Sequence, residues 1–229
     1  MVDQAGRIYC KDHMLHGLGE TWWVGEAENA TRVSFRERNI MGMVSRICWI
    51  TEQNALHCFE DLGTSPEVKA IDVAVGEWHE CIISVGGGVL CRGSNEFREL
   101  GVADPSWDDR ETDKFGEVAL SKRRSAAITA GARHTCVLTV EGQVTCWGAN
   151  ALRQCQGTAS PSAPPAKPVG VGVVTEIHSS QDHTCARRSA TEVVCWGDSA
   201  DGKLGVDPSD RRCHGLDCPP VVVVLPTTP

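Results

Sequence analysis

The sequence lacks any long hydrophobic run and any excess of positive charge. Its longest unbroken apolar stretch, from Val221 to Leu225, is far shorter than the ~20 residues that a helix needs to cross a bilayer. No basic segment followed by an apolar one opens the chain, so no signal peptide is recognised. Lys and Arg number 22 against 30 Asp and Glu, and the net charge of -8 argues against nucleic-acid binding, which needs cations that neutralise phosphates.

The sequence also lacks the common enzymatic motifs. It contains no Gly-rich phosphate loop, no Gly-x-Ser-x-Gly elbow and no His-Glu-x-x-His pair. Carboxylates that might form acid/base pairs are expected to be solvated in loops: Glu77, Glu80, Asp108 and Asp109. We therefore expect no catalytic residue, no cofactor and no bound metal, and we predict that the protein is not an enzyme.

Cysteine, by contrast, is abundant, with 12 in 229 residues. Such a density is typical of an oxidising compartment or of a metal protein. Four pairs share a separation of ten residues: Cys48 and Cys58, Cys81 and Cys91, Cys136 and Cys146, and Cys185 and Cys195. The regular spacing indicates that the same local structure occurs four times.

The residues around these pairs repeat as well. His-Glu-Cys or His-Thr-Cys opens three units, and Cys-Arg-Gly or Cys-Trp-Gly closes their hairpins, over 79–93, 134–148 and 183–197. A Leu-Gly element follows the second cysteine at Leu100 and again at Leu204. Helical periodicity is nowhere sustained. Self-similarity of this kind indicates a propeller, a solenoid or another array of repeats.

Each unit is expected to contain a β-hairpin. The segments on either side of Glu141 and Gly142 are rich in β-branched and apolar residues, a typical hairpin signal. For Cys136 to lie opposite Cys146, Glu141 must be the middle of a three-residue loop whose last position is left-handed. Glycine or asparagine holds that last position in three units: Asn54, Gly87 and Gly142. Opposed strand residues are close enough for a disulfide, so we predict four cross-strand disulfide bonds.

Zinc is the alternative that the same spacing leaves open. His-x-Cys with a later Cys supplies three ligands, but a hairpin offers no evident fourth and lacks the closely spaced cysteine pairs of tight zinc sites. The repeated histidines are instead expected to form hydrogen bonds to a neighbouring blade or loop: His79, His134 and His183. Cys213 and Cys218 have a spacing that suits a metal, although a disulfide that closes their loop is favoured.

Two cysteines remain outside these pairs. Cys155 stands nine residues after Cys146, at the position that Leu100 and Leu204 occupy in their units, so we predict a small buried hydrophobe without a partner. Cys10 is the second cysteine of its unit, and its expected partner would precede Met1. The sequence is therefore expected to be part of a longer protein.

The combined pattern of His-Thr-Cys, hairpin, Cys-Trp-Gly and Gly-Lys-Leu-Gly resembles the regulator of chromosome condensation repeat. The best copies are 134–148 and 183–205. The resemblance implies an all-β fold of β-propeller blades, with about five repeats in an incomplete ring. We expect a single propeller over 1–229 with approximate units 1–46, 47–79, 80–134, 135–183 and 184–229. The paired-cysteine form is similar to bacterial, exported members, a superfamily that includes a β-lactamase inhibitor.

The family implies three functional classes. The preferred one is a non-catalytic propeller that is extracellular or in the cell envelope and binds a protein partner of unknown identity through loops on one face. The alternatives are nucleotide exchange on a small GTPase and inhibition of an enzyme. Reduced thiols would favour exchange, whereas oxidised cysteines would favour the exported binder.

The loops after Leu-Gly vary between units and are therefore the candidate binding segments: 102–116, 156–168 and 206–220. Because Trp and Arg are common interface anchors, Trp107 is the residue we select first. The predicted partner-binding residues are Trp107, Asp108, Asp109 and Arg110.

Overall fold

Short strands and tight turns alternate along the chain and pair into antiparallel sheets. The computed structural model describes residues 7–11, 21–26, 30–37, 44–59, 68–102, 112–120, 124–155, 159–165, 169–206 and 219–225. Within these residues the regular structure is β-strand, apart from a single helical turn at Ala200–Gly202. The prediction of an all-β fold is confirmed. No helix in the described ranges is long and apolar enough to span a membrane.

The strands form five sheets in chain order. A two-stranded sheet contains β1 (Arg7–Lys11) and β2 (Thr21–Glu26). The first blade contains β3 (Ala30–Glu37), β4 (Val44–Thr51) and β5 (Leu56–Phe59). The second blade contains β6 (Ala70–Val75), β7 (His79–Ser84), β8 (Val89–Gly93) and β9 (Thr112–Glu117).

The last two blades repeat the four-stranded order of the second. The third blade contains β10 (Ser125–Ala130), β11 (His134–Thr139), β12 (Val144–Asn150) and β13 (Ser160–Ala163). The fourth blade contains β14 (Glu176–Ser179), β15 (His183–Arg187), β16 (Glu192–Gly197) and β17 (Val221–Val224). In each blade the hydrogen-bonded neighbours are strands that follow one another in the sequence.

Two of the predicted loops contain an outer strand. Strand β9 begins within 102–116 and β13 lies within 156–168, so both segments are only partly loop. Their sequences gave no strand signal because an outer strand pairs on one side only, and half of its side chains face solvent. Pro161 is tolerated in β13 because an edge strand needs no hydrogen-bond donor on its free side.

The hairpin register places each predicted cysteine pair directly opposite. Cys136 pairs with Cys146 between β11 and β12, and the same holds in the other three blades. All four pairs form disulfide bonds, with Cα atoms 4.1 Å apart. The turn chemistry agrees, since Asn54, Gly87 and Gly142 have φ of 62°, 84° and 78°. The prediction of cross-strand disulfide bonds is confirmed for these pairs.

The hydrophobic core lies between blades rather than within them. Leu100 and Val118 of the second blade form one buried cluster with Ile128 and Trp147 of the third. A second cluster joins the first and second blades, and a third joins the third and fourth. All six side chains of β11 are buried, because a middle strand has a neighbouring blade against each face. A blade cannot bury its faces alone, so stacking creates the core.

Candidate functional site

One end of the stacked blades displays the loops in which sequence analysis expected binding residues. In antiparallel sheets the β6–β7 turn and the connection from β8 to β9 leave at the same end, and Ser94 N donates to Trp78 O at 2.8 Å. The same contact recurs between Ala149 and Arg133. We call this end the loop face, defined by residues 76–78, 94–102, 131–133, 149–155, 180–182 and 198–206.

Main-chain hydrogen bonds join the blades across the loop face. Glu77 N donates to Ala132 O at 2.9 Å, and Ala132 N donates to Gln181 O at 2.7 Å. Each of these residues lies in the turn between the first two strands of its blade. Because the links are between backbone atoms, they hold neighbouring turns at a fixed separation whatever the side chains are.

A buried tryptophan anchors the Leu-Gly loop of the second blade, and the equivalent loop of the third blade, to the next blade. Trp147 Nε1 donates to Glu99 O at 2.7 Å, and Trp196 Nε1 donates to Gln154 O at 2.8 Å. Gly101 has a φ of 58°, and an added Cβ would lie 2.8 Å from Trp147 Cδ1, so no larger residue fits there. The Trp residues are structural, as predicted, and their bonds fix the loops on the loop face.

Buried amide side chains hold the same loops from within. Asn95 Oδ1 accepts a hydrogen bond from Leu100 N at 3.0 Å, and Asn150 Oδ1 accepts one from Cys155 N at 2.9 Å. Cys155 itself is buried and free, which confirms its prediction as a small hydrophobe at the Leu position. Burial raises the pKa of the Cys155 thiol, so the thiol is protonated and unreactive.

The exposed part of the loop face carries mixed charge around an aromatic ring. Arg133 lies over the Phe97 ring at 4.6 Å and donates to Glu96 Oε2 at 2.9 Å. Glu96 and Arg98 are exposed. Burial raises the pKa of the Glu99 carboxyl above its ordinary value, although that carboxyl accepts a hydrogen bond from Phe97 N. Charged and aromatic groups on fixed loops suit recognition of another protein.

The repeated histidines form a latch between neighbouring blades. His79 Nε2 lies 2.8 Å from Thr135 Oγ1, and His134 Nε2 lies 2.9 Å from Thr184 Oγ1. Each histidine packs on the glycine three residues earlier, since a Cβ at Gly131 would fall 2.1 Å from His134 Cε1. The prediction that these two histidines contact a neighbouring blade is confirmed.

His183 departs from this latch. Ser180 stands where the second and third blades have Gly76 and Gly131, and its side chain would occupy the space that the imidazole takes in those two blades. Partial burial lowers the pKa of His183, and the Lys203 ammonium acts in the same direction. Lys203 itself donates to the Asp198 carboxylate, and this bond holds the pKa of Asp198 below its ordinary value despite desolvation.

We predict that the pKa of His183 lies below the ordinary value for histidine. NMR titration should place its pKa below 6.5, and Lys203→Gln should raise that pKa because a nearby cation is removed. Since the folded state then binds fewer protons than the unfolded state just below pH 6.5, stability should fall as the pH drops through that window. Lys69→Gln, in the second blade, is the control, and an equal shift in both variants would contradict the assignment.

The latch between the first and second blades is built from different residues. Arg46, Glu80 and Arg92 occupy the positions of the His, Thr and Trp that join the later blades. Arg92 Nε donates to Glu80 Oε1, and Arg46 Nε lies 3.7 Å from Glu80 Oε2. The expectation that Glu80 is solvated is wrong, because it is 1% exposed. Aligning the repeats by their cysteines would have revealed this substituted latch.

The same carboxylate is the one described place where a metal could be held. Cys48, Cys58 and Glu80 form the single group of three potential ligands within the described ranges. Both sulfurs are bonded to each other, so the oxidised chain has no thiolate to offer there.

Several predicted site residues lie outside the described residues. They are Trp107, Asp108, Asp109 and Arg110, together with Cys213 and Cys218. The topology nevertheless fixes the ends of their segments. The connection from β8 to β9 contains the first group and the connection from β16 to β17 contains the second, and both leave from the loop face.

Successive antiparallel blades that stack face to face define this chain as a β-propeller. Residues 126–154 match the family model described as Regulator of chromosome condensation (RCC1) repeat. The match covers most of the third blade, which supplies the His-Thr-Cys and Cys-Trp-Gly motifs. The chain is a β-propeller of the RCC1 type.

Known proteins share this architecture. The chain is 30% identical over 152 residues to the probable E3 ubiquitin-protein ligase HERC4 of Homo sapiens, covering 63% of the chain and 14% of that protein. It is 31% identical over 144 residues to the secretion-regulating guanine nucleotide exchange factor of Bos taurus, covering 58% and 30%. The chain therefore spans less than a third of either relative.

A solved structure shows the same fold. Prp20p from Saccharomyces cerevisiae superposes with a TM-score of 0.72 at 15% sequence identity, over 99% of this chain and 57% of that one. At this level of identity the likeness concerns the fold alone.

Proposed function

We propose that this chain is a non-catalytic protein-binding propeller whose partner docks on the loop face. The observation that carries the proposal is the anchoring of two of these loops by a buried Trp from the next blade: the Leu-Gly loop of the second blade at Glu99 and the equivalent loop of the third blade at Gln154. Loops held in this way present exposed groups such as Glu96 and Arg98 on a rigid scaffold, which lowers the entropy lost on binding. The similarity to a protein named as a secretion-regulating guanine nucleotide exchange factor supports a binding role.

We propose that Trp107 to Arg110 form the centre of the contact. Their segment leaves from the loop face beside Phe97 and Arg133. A tryptophan flanked by charged residues is typical of an interface anchor with a polar rim. We further propose that residues 1–229 act as one propeller unit with the repeat limits given above.

An extracellular or cell-envelope location is part of the same proposal. Four disulfide bonds hold hairpins that already have complete strand pairing. Disulfide bonds persist in oxidising compartments and are rare where glutathione keeps thiols reduced. This cysteine chemistry supports export, and Cys213 and Cys218 are proposed to form a further, loop-closing disulfide.

Nucleotide exchange on a small GTPase is the second candidate. The similarity to a secretion-regulating guanine nucleotide exchange factor favours it, and Prp20p has been described with binding properties to Gsp1p and histones. The disulfide bonds and the net charge of -8 fit a cytosolic or chromatin role less well. Inhibition of an enzyme would be a special form of the first proposal.

The test compares binding by variants of opposite faces. Immobilised wild-type chain should capture a partner from secreted and envelope fractions, and Trp107→Ala or Glu96→Lys should weaken capture about tenfold or more. Glu141→Lys makes the same charge change at an exposed hairpin turn on the opposite face and should leave capture unchanged. Equal capture by all variants would contradict the loop-face assignment.

A nucleotide-release assay separates the two candidates. The chain should leave the rate of guanine-nucleotide release from small GTPases unchanged. Acceleration of that rate by the oxidised chain would replace the first proposal with the second.

A further inference from the structure

Two sulfurs and one carboxylate meet at the interface of the first and second blades. Cys48 Sγ lies 3.4 Å from Glu80 Oε2, and Cys58 Sγ lies 3.6 Å from Glu80 Oε1. Cys48 and Glu80 are buried, whereas Cys58 is half-buried. A carboxylate against a disulfide gains no hydrogen bond from it, because disulfide sulfurs carry no proton. The arrangement therefore suits the reduced cysteines better than the oxidised ones.

The later interfaces show that this carboxylate is a substitution at a repeated position. Thr135 Oγ1 lies 3.7 Å from Cys81 Sγ, and Thr184 Oγ1 lies 3.7 Å from Cys136 Sγ. In each case the residue before the first cysteine of a blade contacts the disulfide of the preceding blade. Only Glu80 provides an anionic oxygen there, because the other blades provide a neutral hydroxyl.

The distances match the ligand separations of a tetrahedral zinc site. Zinc bonds of ~2.3 Å to sulfur and ~2.0 Å to oxygen place sulfur and oxygen ligands about 3.5 Å apart. The two sulfur–oxygen distances, each to a different oxygen of the Glu80 carboxylate, are 3.4 Å and 3.6 Å. All three ligand atoms lie within 4.8 Å of one another. Only the two sulfurs must separate, and opposed strand residues allow this without a change of register.

We propose that Cys48, Cys58 and Glu80 form a redox-gated site for a zinc-like divalent cation. A dithiol reductant transfers two electrons and two protons to the Cys48–Cys58 disulfide and is itself oxidised to a disulfide. Cation binding then releases the two thiol protons as both sulfurs become thiolates. Solvent supplies the fourth ligand position through the half-buried side of Cys58. The site is independent of the proposed binding role of the loop face.

Two arginines offset the negative charge of this site. Arg92 Nε donates to Glu80, and Arg46 Nε lies 3.7 Å from the second carboxylate oxygen. Because one divalent cation replaces two protons, the net charge of the buried cluster is the same in the thiol and cation-bound states. The arginines also offset the charge of the thiolates, and each approaches the carboxylate oxygen that lies nearest one of the two sulfurs.

Cobalt titration of the reduced chain, residues 1–229, tests the proposal. Mild reduction by a dithiol is followed by addition of Co²⁺ alone, which gives thiolate charge-transfer and tetrahedral d–d bands when two cysteines bind it. We expect these bands to saturate at one Co²⁺ per chain and to disappear when Zn²⁺ is added. Glu80→Gln, which keeps the shape but loses the charge, should weaken Co²⁺ binding at least tenfold.

Paired cysteine variants provide the control. Cys48→Ser with Cys58→Ser should abolish the bands, whereas Cys136→Ser with Cys146→Ser should retain them, because Thr184 there is a poor ligand. Circular dichroism establishes that each variant keeps its β-structure before the titration. Bands that persist without Cys48 and Cys58, absence of bands in the folded reduced chain, or unfolding on reduction would each overturn the proposal.

Discussion

Replacing Trp147 with alanine is expected to lower the free energy of unfolding by about 3–5 kcal/mol. Its side chain is fully buried between the second and third blades, where it packs with Leu100 and Val118. The substitution leaves a cavity and also removes the donor to Glu99 O. Because this contact joins two blades, its loss should release the Leu-Gly loop of the second blade as well.

Urea denaturation with the disulfides intact measures this effect. Trp147→Phe retains much of the volume and loses the hydrogen bond, so it should cost clearly less than Trp147→Ala. Val140→Ala, at a side chain that is 60% exposed, is the control and should change stability by less than about 0.5 kcal/mol. If the alanine variants at 147 and 140 behaved alike, Trp147 could not be the inter-blade anchor.

The register of the blades follows directly from local chemistry. A cysteine spacing of ten, together with a Gly or Asn two residues before the second strand in the first three blades, permits only one hairpin alignment. Side chains of a strand alternate between two faces, so a shift by one residue would separate every cysteine pair. Strands β7, β8, β11 and β12 were therefore predictable, together with their disulfides.

Contacts between blades were predictable only in part. A histidine at a repeated position indicates a hydrogen bond to a neighbouring blade, but the sequence alone does not say which residue accepts it. Thr135 and Thr184 became identifiable only once stacking placed each one beside the preceding blade. The variable segments that were predicted to bind, 102–116, 156–168 and 206–220, continue the chain from the loop face, whose order comes from Trp147 and Trp196.

The substituted latch illustrates why aligned repeats carry more information than single motifs. Arg46, Glu80 and Arg92 are each unremarkable as separate charged residues, and an isolated glutamate is usually solvated. Their burial follows because all three replace residues that point into the interface in other blades. Three simultaneous exchanges at matching positions indicate that one ion cluster replaces two hydrogen bonds. The sequence signal is the combination of these three exchanges in one pair of neighbouring blades.

Removing the carboxylate of this latch is the second substitution for which we expect a large effect. Glu80→Met should lower the free energy of unfolding by about 3–5 kcal/mol, because it leaves Arg92 buried without its ion-pair partner. Arg92 is 1% exposed and its guanidinium lies over the Phe115 ring at 4.6 Å, so it has no route to solvent. Arg46 is nearer the surface and can be hydrated more easily.

The double variant distinguishes loss of charge balance from loss of packing. Glu80→Met combined with Arg92→Met should cost less than Glu80→Met alone, since apolar side chains of similar volume remove the need for an ion pair. Glu176→Ala breaks the exposed pair with Arg187, at a distance of 3.1 Å, and should cost less than about 1 kcal/mol. Additive costs at positions 80 and 92 would instead mean that the two residues stabilise the interface independently. The neighbouring Cys48–Cys58 disulfide would then gain no stability from the ion cluster.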